Sequence, residues 1–338
     1  MKVQHEKLVL PARVVVQFNA PELGAGLAQT LAASLFAADV VRFADTECDV
    51  VLEQSFHAVA GKAVVLVAQF GGRLAAWSIN DFLLSLCFLV SRMRAAGVAS
   101  LVCVLPYFPY ARQDLAPVHG GVSSARMLSD LLKAAGVDEL IVFDLHNSRL
   151  MEQTPLTVTN ISCKDFWVRV LRTFMQELGS NEYVLVAPDN GAAMGVQALA
   201  KQLGIEACFV AKRRTDINQA LAISLNGSVA GKYALILDDI IDTGRTAVSA
   251  AELVLNRGAT GVSGFFTHAV LSSASLAVMQ VAPFDRVVVA DTLHRTALSY
   301  AAMSYVSIAP FIVESIAKIM TINSHQGEVQ QGLYERSV

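Results

Sequence analysis

The segment at residues 233–257 combines residue types that together suit the binding of a phosphate group. Its apolar start, residues 233–237, predicts a buried strand, and two carboxylates follow directly. After two apolar residues come an acid, two hydroxyl side chains, a glycine and an arginine, and a helix of small and apolar residues is predicted from residue 246. Helix N-termini offer unpaired N–H groups and a favourable dipole to an anion, so this order predicts a phosphate-binding loop. The polar residues and the glycine of this segment are Asp238, Asp239, Asp242, Thr243, Gly244, Arg245 and Thr246.

The acid pair, Asp238 and Asp239, predicts a second kind of contact beside the phosphate. Ionised carboxylates accept hydrogen bonds from vicinal hydroxyl groups, and these two would lie one sugar length from the loop. A phosphate at one end and a diol at the other describe a ribose 5-phosphate. A lone pair of aspartates is as often a turn or a helix cap, but the complete pattern favours binding. Two other nucleotide motifs are excluded, because Gly231-Lys232 lacks the upstream glycine of a Walker loop and Gln29 stands where a dinucleotide loop needs glycine.

Short apolar runs alternate with longer segments of helical period along the chain, which predicts an α/β architecture with mainly parallel sheets. Strands are predicted at residues 14–18, 63–68, 100–105, 139–143, 183–187, 207–211, 233–237, 261–267 and 286–290. Helices are predicted at residues 21–36, 79–96, 123–135, 164–177, 193–203, 246–257 and 272–281. Several helices stop at a glycine in the expected cap position, namely Gly97, Gly136, Gly204 and Gly258.

The length of 338 residues predicts two domains at about 150 residues each, and nine strands are too many for one small sheet. Residues 151–162 contain Pro155, are rich in threonine and asparagine, and lack a helical period. We therefore place a boundary there, with domains at residues 1–155 and 156–338. The two halves show a similar order of strand, helix and glycine turn, which indicates duplication of one α/β unit.

Charge and cysteine content exclude several classes of function. Lys and Arg total 26 against 29 Asp and Glu, a net charge of −3, so nucleic acid is not an expected partner. No apolar run reaches the roughly 18 residues of a spanning helix, so a membrane is not an expected partner either. The five cysteines are scattered without a zinc spacing, and their odd number argues against a disulfide framework. We therefore expect the chain to work in the reducing cytoplasm.

Further motifs occur in a fixed order along the chain. They are Arg42 to Glu47, Pro106 to Asp114, Asp144 to His146, Pro188 to Gly191, Lys212 to Arg214, Thr267 to Leu271 and Tyr305 to Pro310. Together with residues 238–246, these motifs resemble those of the ribose-phosphate pyrophosphokinases in order and spacing, over nearly the whole chain. The resemblance implies two tandem phosphoribosyltransferase-like domains, each a mainly parallel sheet flanked by helices.

The resemblance also implies a reaction. Members of that family transfer the β,γ-diphosphoryl group of ATP to the anomeric hydroxyl of ribose 5-phosphate, giving phosphoribosyl pyrophosphate and AMP, with Mg²⁺ as cofactor. Transfer at phosphorus depends on positioning and charge neutralisation, so cations and metal ligands should be prominent. The expected ligands are ATP and ribose 5-phosphate, and the expected assembly is a homo-oligomer, a dimer or larger.

The same resemblance assigns roles to residues. Lys212 and Arg214 are the expected catalytic residues, because they would stabilise charge on the transferred group. His146 and Asp189 are expected to help hold Mg²⁺. The residues assigned to ATP, three of them in a loop that a neighbouring subunit contributes in relatives, are Arg112, Gln113, Phe43, Asp45 and Glu47. Those assigned to ribose 5-phosphate are Asp238, Asp239, Asp242, Thr243, Gly244, Arg245 and Thr246.

Several positions depart from the family pattern. Thr46 stands where glycine is usual, so a different backbone path is open to the nucleotide loop. Arg245 replaces a small residue of the phosphate loop, which should leave activity intact. Residues 115–126 lack the usual basic segment and residues 147–152 replace a glutamine-rich one, and relatives use both regions in regulation. We therefore predict that activation by phosphate is weak or absent and that inhibition by ADP is weak or absent as well.

Two other functions stay open on this sequence. One is a catalytically weak relative that assembles with an active synthetase and regulates it. The other is a phosphoribosyltransferase that consumes phosphoribosyl pyrophosphate, since that class shares the strand, acid pair and loop. Retention of Lys212 and Arg214 favours an active synthetase over the first alternative. The two tandem domains and the Arg112-Gln113 segment favour it over the second.

Overall fold

A computed structural model describes residues 14–71, 77–114, 121–147, 150–179, 182–213, 222–294 and 302–320. The described residues form two compact units. The first comprises those up to Ile161 together with those from Ala309 onward, and the second comprises Ser162–Ile308. No helix within these ranges is both long and apolar enough to cross a membrane.

The first unit is built on a seven-stranded sheet in the order β3-β2-β1-β4-β5-β6-β7. All neighbouring strands run parallel except β2 and β3, which are antiparallel. Its elements are β1 (Val14–Phe18), α1 (Pro21–Thr30), β2 (Ser34–Arg42), β3 (Cys48–Leu52), a 3-10 turn (Phe56–Val59), β4 (Ala63–Ala68), α2 (Ile79–Ala95), β5 (Ser100–Leu105), α3 (Ser124–Ala135), β6 (Glu139–Phe143), α4 (Leu150–Gln153) and β7 (Thr157–Ile161).

The second unit repeats this design with a seven-stranded sheet in the order β10-β9-β8-β11-β12-β13-β14, in which only β9 and β10 are antiparallel. Its elements are α5 (Lys164–Leu178), β8 (Tyr183–Ala187), α6 (Ala193–Leu203), β9 (Glu206–Arg213), β10 (Ala222–Asn226), β11 (Tyr233–Ile241), α7 (Arg245–Asn256), β12 (Gly261–Ala269), α8 (Ser273–Gln280), β13 (Arg286–Ala290) and β14 (Met303–Val306). The order and directions of the strands match those of the first sheet one for one, which confirms the predicted internal repeat.

Each sheet is covered by helices whose apolar faces supply the core. In the first unit α2 places Phe82, Leu86 and Leu89 against the central strands, all nearly fully buried. This helix begins where it does because the Ser78 hydroxyl accepts a hydrogen bond from the Asp81 N–H at 3.2 Å while the Asp81 carboxylate accepts one from the Ser78 N–H at 3.0 Å. In the second unit, small and apolar residues of α7 pack in the core with strands of the second sheet.

Two sequence predictions of elements are corrected. The first helix ends at Thr30 and not at Phe36, because Ser34–Ala38 pair with β1 as the start of β2. Residues 151–162 are not an irregular linker, since they hold the end of α4 and the whole of β7.

The domain boundary predicted between residues 155 and 156 is also corrected. Strand β7 pairs with β6 from Thr157 to Ile161, so these residues belong to the first sheet. The helical residues 309–320, here called α9, return to the first unit as well. The Phe311 ring packs edge-on against Phe143, with 6.4 Å between ring centres. In the chain, the second unit is therefore an insertion between β7 and α9.

Candidate active site

The second sheet has a topological switch point between β8 and β11. From β8 the chain proceeds through α6 to β9 on one side, whereas β11 and the strands after it lie on the other side. Open α/β sheets bind ligands in the crevice outside the carboxyl ends of the strands at such a point. Asp189 follows β8, and the acid pair lies at the carboxyl end of β11, so the predicted polar residues meet at this crevice.

Asp238 and Asp239 lie inside β11, not after a strand ending at residue 237 as predicted. Both are partly buried, and the Asp239 N–H donates a hydrogen bond to Asp238 Oδ1 at 3.0 Å. Burial, followed by the negative charges of Asp239 and Asp189, raises the pKa of Asp238 to about 8. In the unliganded site this environment favours the neutral form of Asp238.

Asp189 is held by the turn that leads into α6. Its Oδ1 accepts hydrogen bonds from the N–H groups of Gly191 at 2.8 Å and Ala192 at 3.2 Å. These contacts fix the carboxylate beside the strand end, within electrostatic reach of Asp238.

The predicted phosphate loop leads directly into a helix. Helix α7 begins at Arg245, one residue before the predicted start, and Gly244 occupies its N-cap with a φ of 79°. The N-cap residue is a glycine and offers no side chain of its own to cap the helix, and the N–H groups of the first turn face the loop. Thr243 and Arg245 are exposed, whereas Gly244 is buried. A Cβ atom at Gly244 would lie 2.7 Å from Met279 Sδ, so both the backbone angle and the space favour glycine.

The basic triplet lies only partly within the described residues. Lys212 and Arg213 were expected to follow the strand, but β9 continues through them and pairs them with Ile223 and Ala222 of β10. Arg214 lies outside the described residues.

One predicted ATP segment and one predicted Mg²⁺ ligand of the first unit follow β5 and β6. Arg112 and Gln113 follow β5 and are exposed, and His146 follows β6 and is exposed. A hydrogen bond from Asn147 Nδ2 to Asp114 Oδ2 joins the two loops. The sequence analysis missed this link, because nothing in the local pattern indicates that residues from two separate loops meet.

The second predicted ATP segment forms the turn between β2 and β3. Phe43 is 51% exposed, and its N–H donates to the Glu47 carbonyl at 2.9 Å. The Glu47 N–H donates to Asp45 Oδ1 at 3.1 Å. Thr46 has a φ of 76°, the left-handed conformation that glycine adopts readily. The backbone of this turn therefore has a conformation that suits glycine, although threonine occupies the position.

The expected Mg²⁺ ligands belong to different units, His146 to the first and Asp189 to the second. Within the described ranges, no group of three or more His, Cys, Asp or Glu side chains is placed to hold a metal ion. Magnesium commonly uses only one or two carboxylates together with water and substrate phosphates. The crowding that raises the pKa of Asp238 is relieved by a divalent cation, so the acids of the second unit fit that ion.

The first unit has the same switch point without the acids. Counted from the pairs Ala63↔Ser100 and Tyr233↔Gly261, Ala68 and Gln69 take the places of Asp238 and Asp239. Asn19 spans the crevice there, because its Nδ2 donates to the carbonyl of Gln69 at 2.8 Å and to that of Gly71 at 2.6 Å. The duplicated fold therefore presents its acid pair and the predicted phosphate loop in the second unit.

Two repeated, mainly parallel sheets flanked by helices, with an acid pair and a glycine loop at one switch point, define a phosphoribosyltransferase-like fold. A family model of the N-terminal domain of ribose phosphate pyrophosphokinase matches residues 13–136, and one of the phosphoribosyl synthetase-associated domain matches residues 205–328. The ribose-phosphate pyrophosphokinase of Ralstonia nicotianae is 32% identical over 89% of this chain and 92% of its own length. That of Vibrio parahaemolyticus is 33% identical over 88% and 93%.

A solved structure agrees with these relatives. The crystal structure of phosphoribosylpyrophosphate synthetase from Mycobacterium smegmatis aligns with a TM-score of 0.78 and 25% identity, over 91% of this chain and 99% of that one. The chain belongs to the ribose-phosphate pyrophosphokinase family. The relatives are transferases, so the predicted family, fold class and enzyme class are confirmed.

Proposed function

We propose that this chain transfers the β,γ-diphosphoryl group of ATP to the anomeric hydroxyl of ribose 5-phosphate, giving phosphoribosyl pyrophosphate and AMP. The proposal rests on one observation in a member of this family. An acid pair and a helix N-terminus with a glycine N-cap both lie at the switch point of the second sheet.

The sugar phosphate is assigned to the second unit. The loop at residues 242–246 and the first turn of α7 supply N–H groups, hydroxyls and the Arg245 cation to the 5-phosphate. Asp238 and Asp239 hydrogen-bond the two ring hydroxyls. In its neutral form Asp238 can also donate one hydrogen bond, so binding does not require both carboxyls to be charged.

The nucleotide is assigned to Arg112 and Gln113, with Phe43, Asp45 and Glu47 supplied by a second copy in a homo-oligomer. Lys212 and Arg214 are assigned to the charge that develops on the transferred group. His146 and Asp189 would help hold Mg²⁺, which neutralises phosphate charge when bound.

The reducing cytoplasm remains the expected compartment, and nucleic acid and membrane remain unexpected partners. Loss of regulation by phosphate and ADP stays a prediction, since the altered segments include residues 115–120 and 148–149, outside the described ranges.

The direct test follows the reaction by phosphorus NMR with ATP, ribose 5-phosphate and Mg²⁺, with the sugar omitted as a control. Equal amounts of AMP and a pyrophosphorylated sugar are expected. Formation of neither product, with or without added phosphate, would favour a regulatory relative. Consumption of phosphoribosyl pyrophosphate only when a nucleobase is added would favour a phosphoribosyltransferase.

A matched pair of variants tests the phosphate loop itself. Gly244 and Gly231 have similar positive φ angles, 79° and 74°, but a Cβ at Gly231 meets no atom within 4 Å. Both Gly244→Ala and Gly231→Ala should lose stability by about 1 kcal/mol from the left-handed backbone. Only Gly244→Ala should also raise the KM for ribose 5-phosphate, by roughly tenfold. Equal sugar-phosphate KM values in the two variants would remove the loop from the site.

A further inference from the structure

The carboxyl half of β11 is supported unequally on its two sides. The ladder between β8 and β11 ends at the pair Val186↔Ile236, before the acids. The ladder between β11 and β12 continues to the pair Ile241↔Ala269. The side facing β8 is the crevice that must admit the ligand. The backbone that carries Asp238 and Asp239 therefore depends on the end of β12 for its position.

A chain of buried polar groups fixes that end of β12. Thr292 Oγ1 donates to the Thr267 carbonyl at 2.8 Å, and His268 Nδ1 lies 2.9 Å from the same Thr292 hydroxyl. From α5, Trp167 Nε1 donates to Thr267 Oγ1 at 2.9 Å. All four residues are at most 2% exposed.

The proton positions along this chain follow from its donors and acceptors. A threonine hydroxyl has one hydrogen, and that of Thr292 is used toward the Thr267 carbonyl. Thr292 must therefore accept from His268, which places a proton on His268 Nδ1. Successive strand residues point to opposite faces of a sheet. The hydrogen-bonded polar groups therefore cross the sheet, from Thr267 on the α5 side to His268 on the other side.

The register places this polar chain directly beside the acid pair. The ladder pairs Phe266 with Asp238 and His268 with Ile240. Thr267 therefore lies opposite Asp239. Buried polar groups cost free energy when a partner is lost, so removal of one link should shift the strand segment that bears both acids.

We infer that Thr292 and His268 are positioning residues that set the placement of Asp238 and Asp239 and thereby the affinity for the ribose hydroxyls. The inference rests on the proposed function, because it assigns the acids to the sugar. The two residues act through the strand pair and do not touch the substrate.

The test variant is Thr292→Val, which keeps the shape of the side chain and removes the hydroxyl. We expect the KM for ribose 5-phosphate to rise roughly tenfold while the KM for ATP stays unchanged, and Thr292→Ser to restore the wild-type value. If Thr292→Val does not fold, His268→Phe removes the donor while Thr292 keeps its bond to Thr267, and the same split between the two KM values is expected. Unchanged KM values, or an equal rise in both, would overturn the inference.

The matched control lies at the opposite end of the same two strands. Tyr233 of β11 bonds through its hydroxyl to Ser263 Oγ at 2.8 Å and to Asp285 Oδ2 at 2.9 Å. Tyr233→Phe should lower the urea midpoint of unfolding without changing the sugar-phosphate KM. A rise in that KM equal to the rise in Thr292→Val would mean that general destabilisation explains both.

Calorimetric titration with ribose 5-phosphate separates this inference from the proposed reaction. If the wild type binds the sugar phosphate but makes no product, the proposed function fails, and the inference is still judged by whether Thr292→Val weakens binding. If the wild type makes product and Thr292→Val binds the sugar as the wild type does, only the inference fails. If the wild type binds no ribose 5-phosphate, both are overturned.

Discussion

At Asp238, burial and the neighbouring acids oppose ionisation at the place where the sequence predicts an ionised carboxylate. The residue types and their order predicted the acid pair and the glycine of the loop, because those signals are local. They did not predict the raised pKa of Asp238, which arises from burial first and then from the charges of Asp239 and Asp189. Asp189 follows β8, whereas the acid pair lies in β11, and only the fold brings Asp189 close to Asp238.

The raised pKa of Asp238 predicts a stability that falls with rising pH in the absence of ligands. The pKa is 3.8 in the unfolded chain and about 8 in the fold. Between these values the folded state binds more protons than the unfolded state, so the free energy of unfolding decreases as pH rises through this window. Asp238→Asn removes the titrating group and should flatten this part of the pH dependence.

The measurement is urea unfolding of the wild type and Asp238→Asn at pH 5 and pH 8 without Mg²⁺ or substrates. Distant titrating groups cancel in the comparison, so the difference between the two proteins reports Asp238 and its interaction with the acids that face it. The variant should gain stability relative to the wild type at pH 8. Parallel pH profiles would contradict the raised pKa.

At the scale of elements, most strands found from sequence are buried on both faces. Strand β4 consists of buried apolar residues, and β6 continues as a buried apolar run after Glu139. The strands that were missed are β2, β3, β7, β10 and β14. Four of these are the edges of the two sheets, and the fifth neighbours an edge. Edge strands expose part of their side chains, so their sequences lack the signal. The predicted first helix even continued into the first three residues of β2.

The bond between Asn147 and Asp114 is also a property of two elements, since it joins the loops after β5 and β6. We expect Asn147→Ala to raise the KM for ATP several-fold and to leave that for ribose 5-phosphate unchanged, because Arg112 and His146 flank the bond. Asn147→Asp should be more harmful, because it places two carboxylates together. Steady-state kinetics with each substrate varied in turn provide the measurement.

An exchanged pair supplies the control for this link. The double variant Asn147→Asp with Asp114→Asn restores an amide facing a carboxylate. Its KM for ATP should return toward the wild-type value, whereas independent effects of the two changes would add. Additive losses would show that the bond does not position the nucleotide segment.

At the scale of the whole molecule, the two units agree at one edge of the sheet and differ at the other. At the amino edge, the Gly61 N–H donates to the Gly97 carbonyl at 2.7 Å, and the Gly231 N–H donates to the Gly258 carbonyl at 2.9 Å. At the carboxyl edge, Asn19 bridges two carbonyls in the first unit where the second unit has its acids. The shared edge maintains the fold, and the divergent edge carries chemistry. The sequence indicated this repeat only weakly, because the matching contacts are made by backbone atoms.

The predicted division into two consecutive domains assigned the last residues of the chain to the wrong unit. Residues 309–320 follow the second unit in sequence, yet Phe311 packs on Phe143 and Val313 lies near Gly26, both in the first unit. Phe311→Ala should therefore destabilise the first unit, by about 3 kcal/mol for loss of a buried ring. Each unit holds one tryptophan, Trp77 in the first and Trp167 in the second.

These two tryptophans allow the units to be followed separately. In a Trp167→Phe background, the fluorescence of Trp77 reports unfolding of the first unit, and Phe311→Ala should move that transition to lower urea. In a Trp77→Phe background, the transition of Trp167 should stay in place, because Phe143, on which Phe311 packs, lies in the first unit. Each comparison is made within one background, so the effect of the tryptophan replacement cancels. Equal shifts in both backgrounds would mean that the two units unfold as one cooperative body and that the insertion is not energetically separate from the unit that contains it.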